Sequence, residues 1–111
     1  MPSLTIDLAT FNELQATAGA EFVTELVGTF VEEAPQILAE LRGAQTDGNA
    51  ERFRRAAHSL KSNSNTFGAL KLGVMARDLE VGGLIADVAL IDALDAEYAR
   101  AAAELKGLSH G

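Results

Sequence analysis

Apolar residues recur along this chain at three- and four-residue steps, with little β-branched alternation of the kind a strand would need. The pattern predicts helices throughout. Leu8 to Ala16 reads as a short first helix with Phe11 and Leu14 on one side and Asp7 as its N-cap. A long second helix is expected from about Ala20 to Gly43, built on Phe22, Val23, Leu26, Val27, Phe30, Ile37, Leu38 and Leu41. Pro35 falls inside that run. It lacks an N–H and crowds the preceding turn, so it predicts either a kink or a fresh helix start, and the continuing apolar pattern favours the kink.

Thr46-Asp47-Gly48-Asn49 reads as a turn ending in an N-cap. A third helix is expected from Ala50 to about Phe67, with Gly68 suited to a left-handed C-cap. Ala69 to about Glu80 predicts a fourth helix around Leu72, Met75 and Leu79, stopped by Gly82-Gly83. The fifth is expected from about Val88 to Lys106 through Leu90, Ile91, Leu94, Tyr98, Ala102 and Leu105, leaving Ser109-His110-Gly111 as a frayed end. Short connections between amphipathic helices imply antiparallel neighbours. The expected fold is therefore all-α: an up-and-down antiparallel four-helix bundle with a short extra N-terminal helix. One domain over residues 1–111 is expected, with an ordered core at about 7–106.

Composition narrows the class. With 48% hydrophobic residues the chain is too apolar for disorder, and with no cysteine it has neither disulfides nor thiolate metal sites. No run approaches the roughly 18 apolar residues of a membrane span, and no secretory signal is visible. A cytoplasmic monomer is expected. The net charge of −7 argues against nucleic acid as a partner. Yet residues 52–77 contain six basic side chains (Arg52, Arg54, Arg55, Lys61, Lys71, Arg77) and none of the 16 acidic ones. Such asymmetry suggests a surface that faces an opposite charge.

On a helical wheel, Phe53, Ala56, Ala57, Leu60, Ser64 and Phe67 form the core side of the third helix. Nearly opposite stand Arg54, Arg55, His58, Lys61, Ser62 and Asn65. His58 is thus expected in solvent among cations, which would disfavour its protonated ring and would stabilise a phosphoryl group attached to it. Glu32-Glu33 reads as a solvated face and not a metal site. No Gly-rich phosphate loop is present, so use of ATP is not expected.

The stretch Ala57-His58-Ser59-Leu60-Lys61-Ser62, with Ser64, Phe67-Gly68-Ala69 and Leu79-Glu80 beyond it, resembles the signature of histidine-containing phosphotransfer (HPt) domains. Phe30-Val31-Glu32-Glu33-Ala34-Pro35 resembles a segment of the second helix in that family. The resemblance runs from about Asp7 to Leu105. It implies a phosphocarrier without turnover chemistry. His58 would take a phosphoryl group from a phospho-aspartyl receiver domain, or from a sensor histidine kinase, and pass it to another response-regulator receiver.

Lys61 would hold the phosphoryl oxygens. Ser62 stands where the family most often has Gly, and its small size would still admit an incoming active site. Gly68 would serve close packing and the turn after the third helix. Arg54, Arg55, Ser62, Asn65 and Gly68 are candidates for the partner-binding face, with Phe11, Leu14, Val23 and Val27 as apolar candidates beside it. No cofactor or metal of its own is expected, and Mg²⁺ would sit on the receiver's carboxylates. Two other readings compete: a helical adaptor with an idle His58, and, more distantly, a zinc or haem protein using His58 and His110.

Overall fold

The computed structural model describes residues 5–84 and 88–110. It contains α1 (Leu8–Ala18), α2 (Ala20–Asp47), α3 (Ala50–Thr66), α4 (Leu70–Gly82) and α5 (Ala89–His110), with no strand among the described residues. Helix α3 packs against α2 and α4, while α5 touches both α2 and α4. Helix α1 lies against α2 and, over a smaller area, α3.

Local signals explain most boundaries. Asp7 caps α1 by accepting the Thr10 N–H, and Asn49 caps α3 by accepting the Arg52 N–H. Helix α2 runs to Asp47, four residues beyond the expected end at Gly43, because its left-handed terminator is Gly48 (φ 70°), which the N–H bonding to Ala44 and Gln45 carbonyls secures. Helix α5 also outruns expectation, reaching His110 instead of Lys106. Gly111, the last of the three residues expected to fray, lies outside the described residues.

Pro35 sits inside α2, which continues through it without a break. A proline at position 35 cannot donate to the carbonyl four residues earlier, that of Val31. The Tyr98 hydroxyl, from α5, donates to that carbonyl at 3.2 Å. The same ring meets Phe30 edge-on at 5.8 Å, and Phe30 in turn lies 5.3 Å from Phe67. Burial pushes the Tyr98 phenol above its ordinary pKa.

The core is filled by Val23, Val27, Phe30, Leu38 and Leu41 of α2, Phe53 and Leu60 of α3, Leu72 of α4, and Ile91, Leu94 and Leu105 of α5. Two residues placed in the apolar stripes by periodicity point outward instead: Phe22 and Leu90 are each about half exposed.

Residues 5–7 form a strap across the helix ends. The N–H groups of Thr5 and Ile6 both donate to the Glu104 carboxylate, and the Thr5 hydroxyl donates to Glu97. Glu97 is itself buried, and Arg100 donates to it at 2.7 Å. Ile6 is buried, and the Asp7 N–H donates to the Gly68 carbonyl at 2.8 Å. A buried carboxylate is tolerated only when paired and hydrogen-bonded, which Arg100 and the strap accomplish here.

Candidate functional site

The side of α3 opposite its buried residues carries His58, whose ring is 54% exposed. Helix α3 is amphipathic enough to fix this orientation: Phe53, Ala57, Leu60 and Ser64 face inward and are fully buried. Helix α4 crosses close beside it. Gly73 permits the approach, since a Cβ there would fall 2.0 Å from the Asn65 amide oxygen.

That crossing brings Glu80 of α4 onto the exposed face of α3. Its Oε2 lies 2.7 Å from His58 Nδ1 and its Oε1 lies 2.8 Å from Lys61 Nζ. One carboxylate thus holds the two side chains that stand three residues apart on α3. The Lys61 ammonium, and after it the His58 ring, hold the Glu80 carboxyl below the usual carboxylate range. An ionised carboxylate only accepts hydrogen bonds, so Nδ1–H donates to it and the neutral ring keeps its lone pair on Nε2. The two nitrogens lie on opposite edges of an exposed ring, and Nε2 is left to an incoming group.

Sequence reasoning quoted Glu80 only as half of a Leu-Glu pair and gave it no role. The signal was present but not decisive: its place beside His58 depends on where α4 crosses α3.

The other predicted residues divide into those at this face and those that are not. Arg54 is exposed and pairs with Glu51 at 2.9 Å, and Arg55 lies 3.9 Å from the same carboxylate. Arg52 bonds Glu40 and Asp47, and Arg77 lies 3.4 Å from Asp78. The basic block is therefore largely paired with acids from its surroundings, and the purely cationic setting expected around His58 is replaced by one that includes Glu80. Ser62 is exposed one turn beyond His58, and Asn65 is exposed with its amide turned over Gly73.

Four of the expected partner contacts are corrected. Phe11, Val23 and Val27 are buried in the core and present nothing to a partner, because their faces of α1 and α2 are the ones that pack inward. Gly68 is buried as well, with φ +84° and room for no side chain: a Cβ would stand 2.7 Å from the Asp7 carbonyl oxygen. Its place is the α3–α4 turn and the seat of the N-terminal strap. Leu14 is half-buried against the core.

The exposed apolar surface near α3 lies instead on α2. Phe22 is exposed, and one turn on Leu26 joins Thr29, Asn63 and Thr66 in a hollow of about 140 Å³ between α2 and α3.

Among the described residues, no three of His, Cys, Asp and Glu gather so as to hold a metal ion. The side chain of His110, the second histidine of the metal reading, lies outside the described residues. No helix among them is long and apolar enough to cross a membrane.

Neither the curated proteins nor the solved structures gave a match to this chain. The family model of the Hpt domain matches residues 25–104, a span that takes in His58, Lys61 and Glu80 together with all of α3 and α4. With the larger part of its length matched, the chain belongs to the Hpt domain family, whose members are phosphocarriers in two-component signalling.

Proposed function

We propose that this protein is a phosphorelay carrier in which His58 Nε2 takes a phosphoryl group from a phospho-aspartyl receiver domain, or from a histidine kinase, and delivers it to another response-regulator receiver. The observation that carries this reading is the shared Glu80 carboxylate, which orients the ring through Nδ1 and leaves Nε2 open.

Nε2 attacks phosphorus in line with the aspartyl oxygen. A P–N bond forms as the P–O bond breaks, and the aspartate leaves as a carboxylate. Transfer onward is the reverse, with a new aspartate as the nucleophile. The transition state is loose, so positioning and charge dominate. Lys61, beside His58 on the same carboxylate, supplies positive charge to the equatorial oxygens. The chain needs no cofactor of its own in this scheme, and Mg²⁺ belongs to the receiver's carboxylates.

Docking of a receiver over α3 would use Arg54, Arg55 and Ser62 around His58 and the exposed apolar surface at Phe22 and Leu26. We take α2 to α5 as an up-and-down bundle carrying α1 as the extra N-terminal helix. The mutual packing of α2 with α3, α3 with α4, α4 with α5 and α5 with α2 supports that arrangement.

The test is to incubate the protein with a radiolabelled phospho-receiver. Label that is acid-labile and alkali-stable is expected on the wild type and absent from His58→Gln. No label on the wild type, or label that persists in His58→Gln, overturns the assignment. Signalling that survives His58→Gln would favour the adaptor reading.

A further inference from the structure

Helix α4 is apolar on two sides. Leu72, Gly73, Ala76 and Leu79 are buried against the rest of the molecule. On the outward side Leu70, Val74 and Val81 are 44%, 51% and 80% exposed. At about 100° per residue these three fall within a strip some 40° wide, centred far from the buried face. Phe22, Leu8 and Leu90 are also exposed, but they stand on three other helices. On α4 the exposed apolar residues are stacked along one line.

The spacing of that line is informative. Leu70, Val74, Arg77 and Val81 follow one another at steps of four, three and four, the repeat of a helix seam that meets another helix. In that register Val74 and Val81 occupy the first apolar position of the heptad and Leu70 the second. Valine at the first and leucine at the second is the combination that favours two parallel strands.

Charge decides what the other helix is. Arg77 and Asp78 flank the strip on opposite sides and are 60% and 65% exposed. About a two-fold axis parallel to α4, each flank of one helix faces the opposite flank of its mate at the same height. Arg77 then meets Asp78 of the second copy, and Asp78 meets its Arg77. An antiparallel two-fold would bring Arg77 against Arg77. We propose that α4 is a self-association surface, pairing in parallel with α4 of a second copy of this chain through Leu70, Val74 and Val81 and exchanging Arg77–Asp78 ion pairs.

Two consequences follow from the geometry. A 13-residue helix offering three apolar side chains falls well short of the roughly 800 Å² per partner of a stable interface, so the dimer is reversible and fills only at high concentration. Glu80 lies about 100° around α4 from the strip, so the His58 face stays open in the dimer. A monomer was the expectation from sequence, and this surface departs from it.

Sedimentation equilibrium from about 10 μM to about 1 mM brackets the affinity of so small an interface. The wild-type mass is expected to rise from 11.7 kDa towards twice that value and to stop there, since a two-fold closes. Val74→Asp and Val81→Asp, both at exposed positions, should weaken association by at least about tenfold with unchanged helical circular dichroism. Arg77→Asp should also weaken it, by placing acids opposite acids, and Arg77→Asp/Asp78→Arg should restore it.

A mass that stays at the monomer value, grows past the dimer, or is insensitive to Val81→Asp overturns the proposal, as does a double swap no better than Arg77→Asp alone. If the wild type stays monomeric and the α4 amide resonances move only on adding a receiver domain, the strip belongs to the receiver and the proposal falls.

Discussion

His58 and Glu80 stand on different helices and meet at 2.7 Å, the carboxylate taking the Nδ1–H while its other oxygen holds Lys61. The site's nucleophilic nitrogen is thus chosen by a residue of α4, not by anything on α3. Loss of a hydrogen bond to a charged group costs about 1.5–3 kcal/mol, which is about 10- to 100-fold in rate if the bond acts fully at the transition state. Glu80→Ala should slow phosphoryl uptake from a phospho-receiver by that order in rapid-quench experiments. Glu80→Gln retains an acceptor for Nδ1–H and should be affected less. Wild-type rates for Glu80→Ala would show that Glu80 has no hand in positioning the ring.

The same carboxylate predicts a pH dependence of stability. Glu80 is held below the usual carboxylate range by Lys61 first and His58 second, and Glu40 is held down by Arg52. A folded-state pKa below the unfolded value adds stability above about pH 4.3, and that stability is lost as pH falls through the folded value. Denaturation midpoints should therefore decline below about pH 5. The acid-side decline should be shallower in Glu80→Gln and in Glu40→Gln. Slopes parallel to the wild type would remove these two groups from the acid response.

Tyr98 and Pro35 should be thermodynamically coupled. The Tyr98 hydroxyl serves the Val31 carbonyl, which Pro35 cannot serve. Tyr98→Phe is expected to cost about 1 kcal/mol in equilibrium unfolding. Pro35→Ala restores a backbone N–H to that carbonyl, so in its background Tyr98→Phe should cost clearly less. A double-mutant cycle measures the difference, and strict additivity would break the proposed link.

Two glycines near the site should respond differently to alanine. Gly68→Ala requires a side chain at φ +84° and 2.7 Å from the Asp7 backbone oxygen, so something fixed must move. A loss of more than about 1 kcal/mol is expected. At Gly73 the obstacle is the Asn65 amide, the far end of an exposed side chain that can swing aside. Alanine also gains about 0.5–1 kcal/mol of helix propensity there. Gly73→Ala should therefore be the milder variant in thermal unfolding, and equal losses would contradict this reading of the two contacts.

Much of the architecture was legible in residue order because each helix announces itself locally. Asp7 and Asn49 cap where expected, and the Phe53–Leu60–Ser64 stripe of α3 pointed His58 outward before any coordinates were considered. What periodicity could not decide was the far side of each apolar stripe. Phe11, Val23 and Val27 share their pattern with Phe22 and Leu90, yet the first three are buried and the last two are not, because burial depends on which neighbour lies alongside. Glu80 was hidden for the same reason. A contact between residues 58 and 80 depends on the crossing of α3 and α4, and neither helix encodes that alone. The positive block was visible as charge, whereas its neutralisation by Glu40, Asp47 and Glu51 needed the α2–α3 turn and the side chains in place.

The strap at residues 5–7 sets an order of assembly. Its bonds from Thr5 and Ile6 to Glu104 join positions 98 and 99 residues apart, closing almost the whole chain into a ring. Contacts so distant in sequence can form only after the nearer pairings of α2 with α3 and α3 with α4 have brought the intervening chain together. Helix α1, seated by that strap on the Gly68 carbonyl, is then the last element to settle and the first to lift away. The phosphoacceptor helix belongs to the early-forming part of the molecule, and it keeps its shape while the N-terminal end of the chain comes and goes.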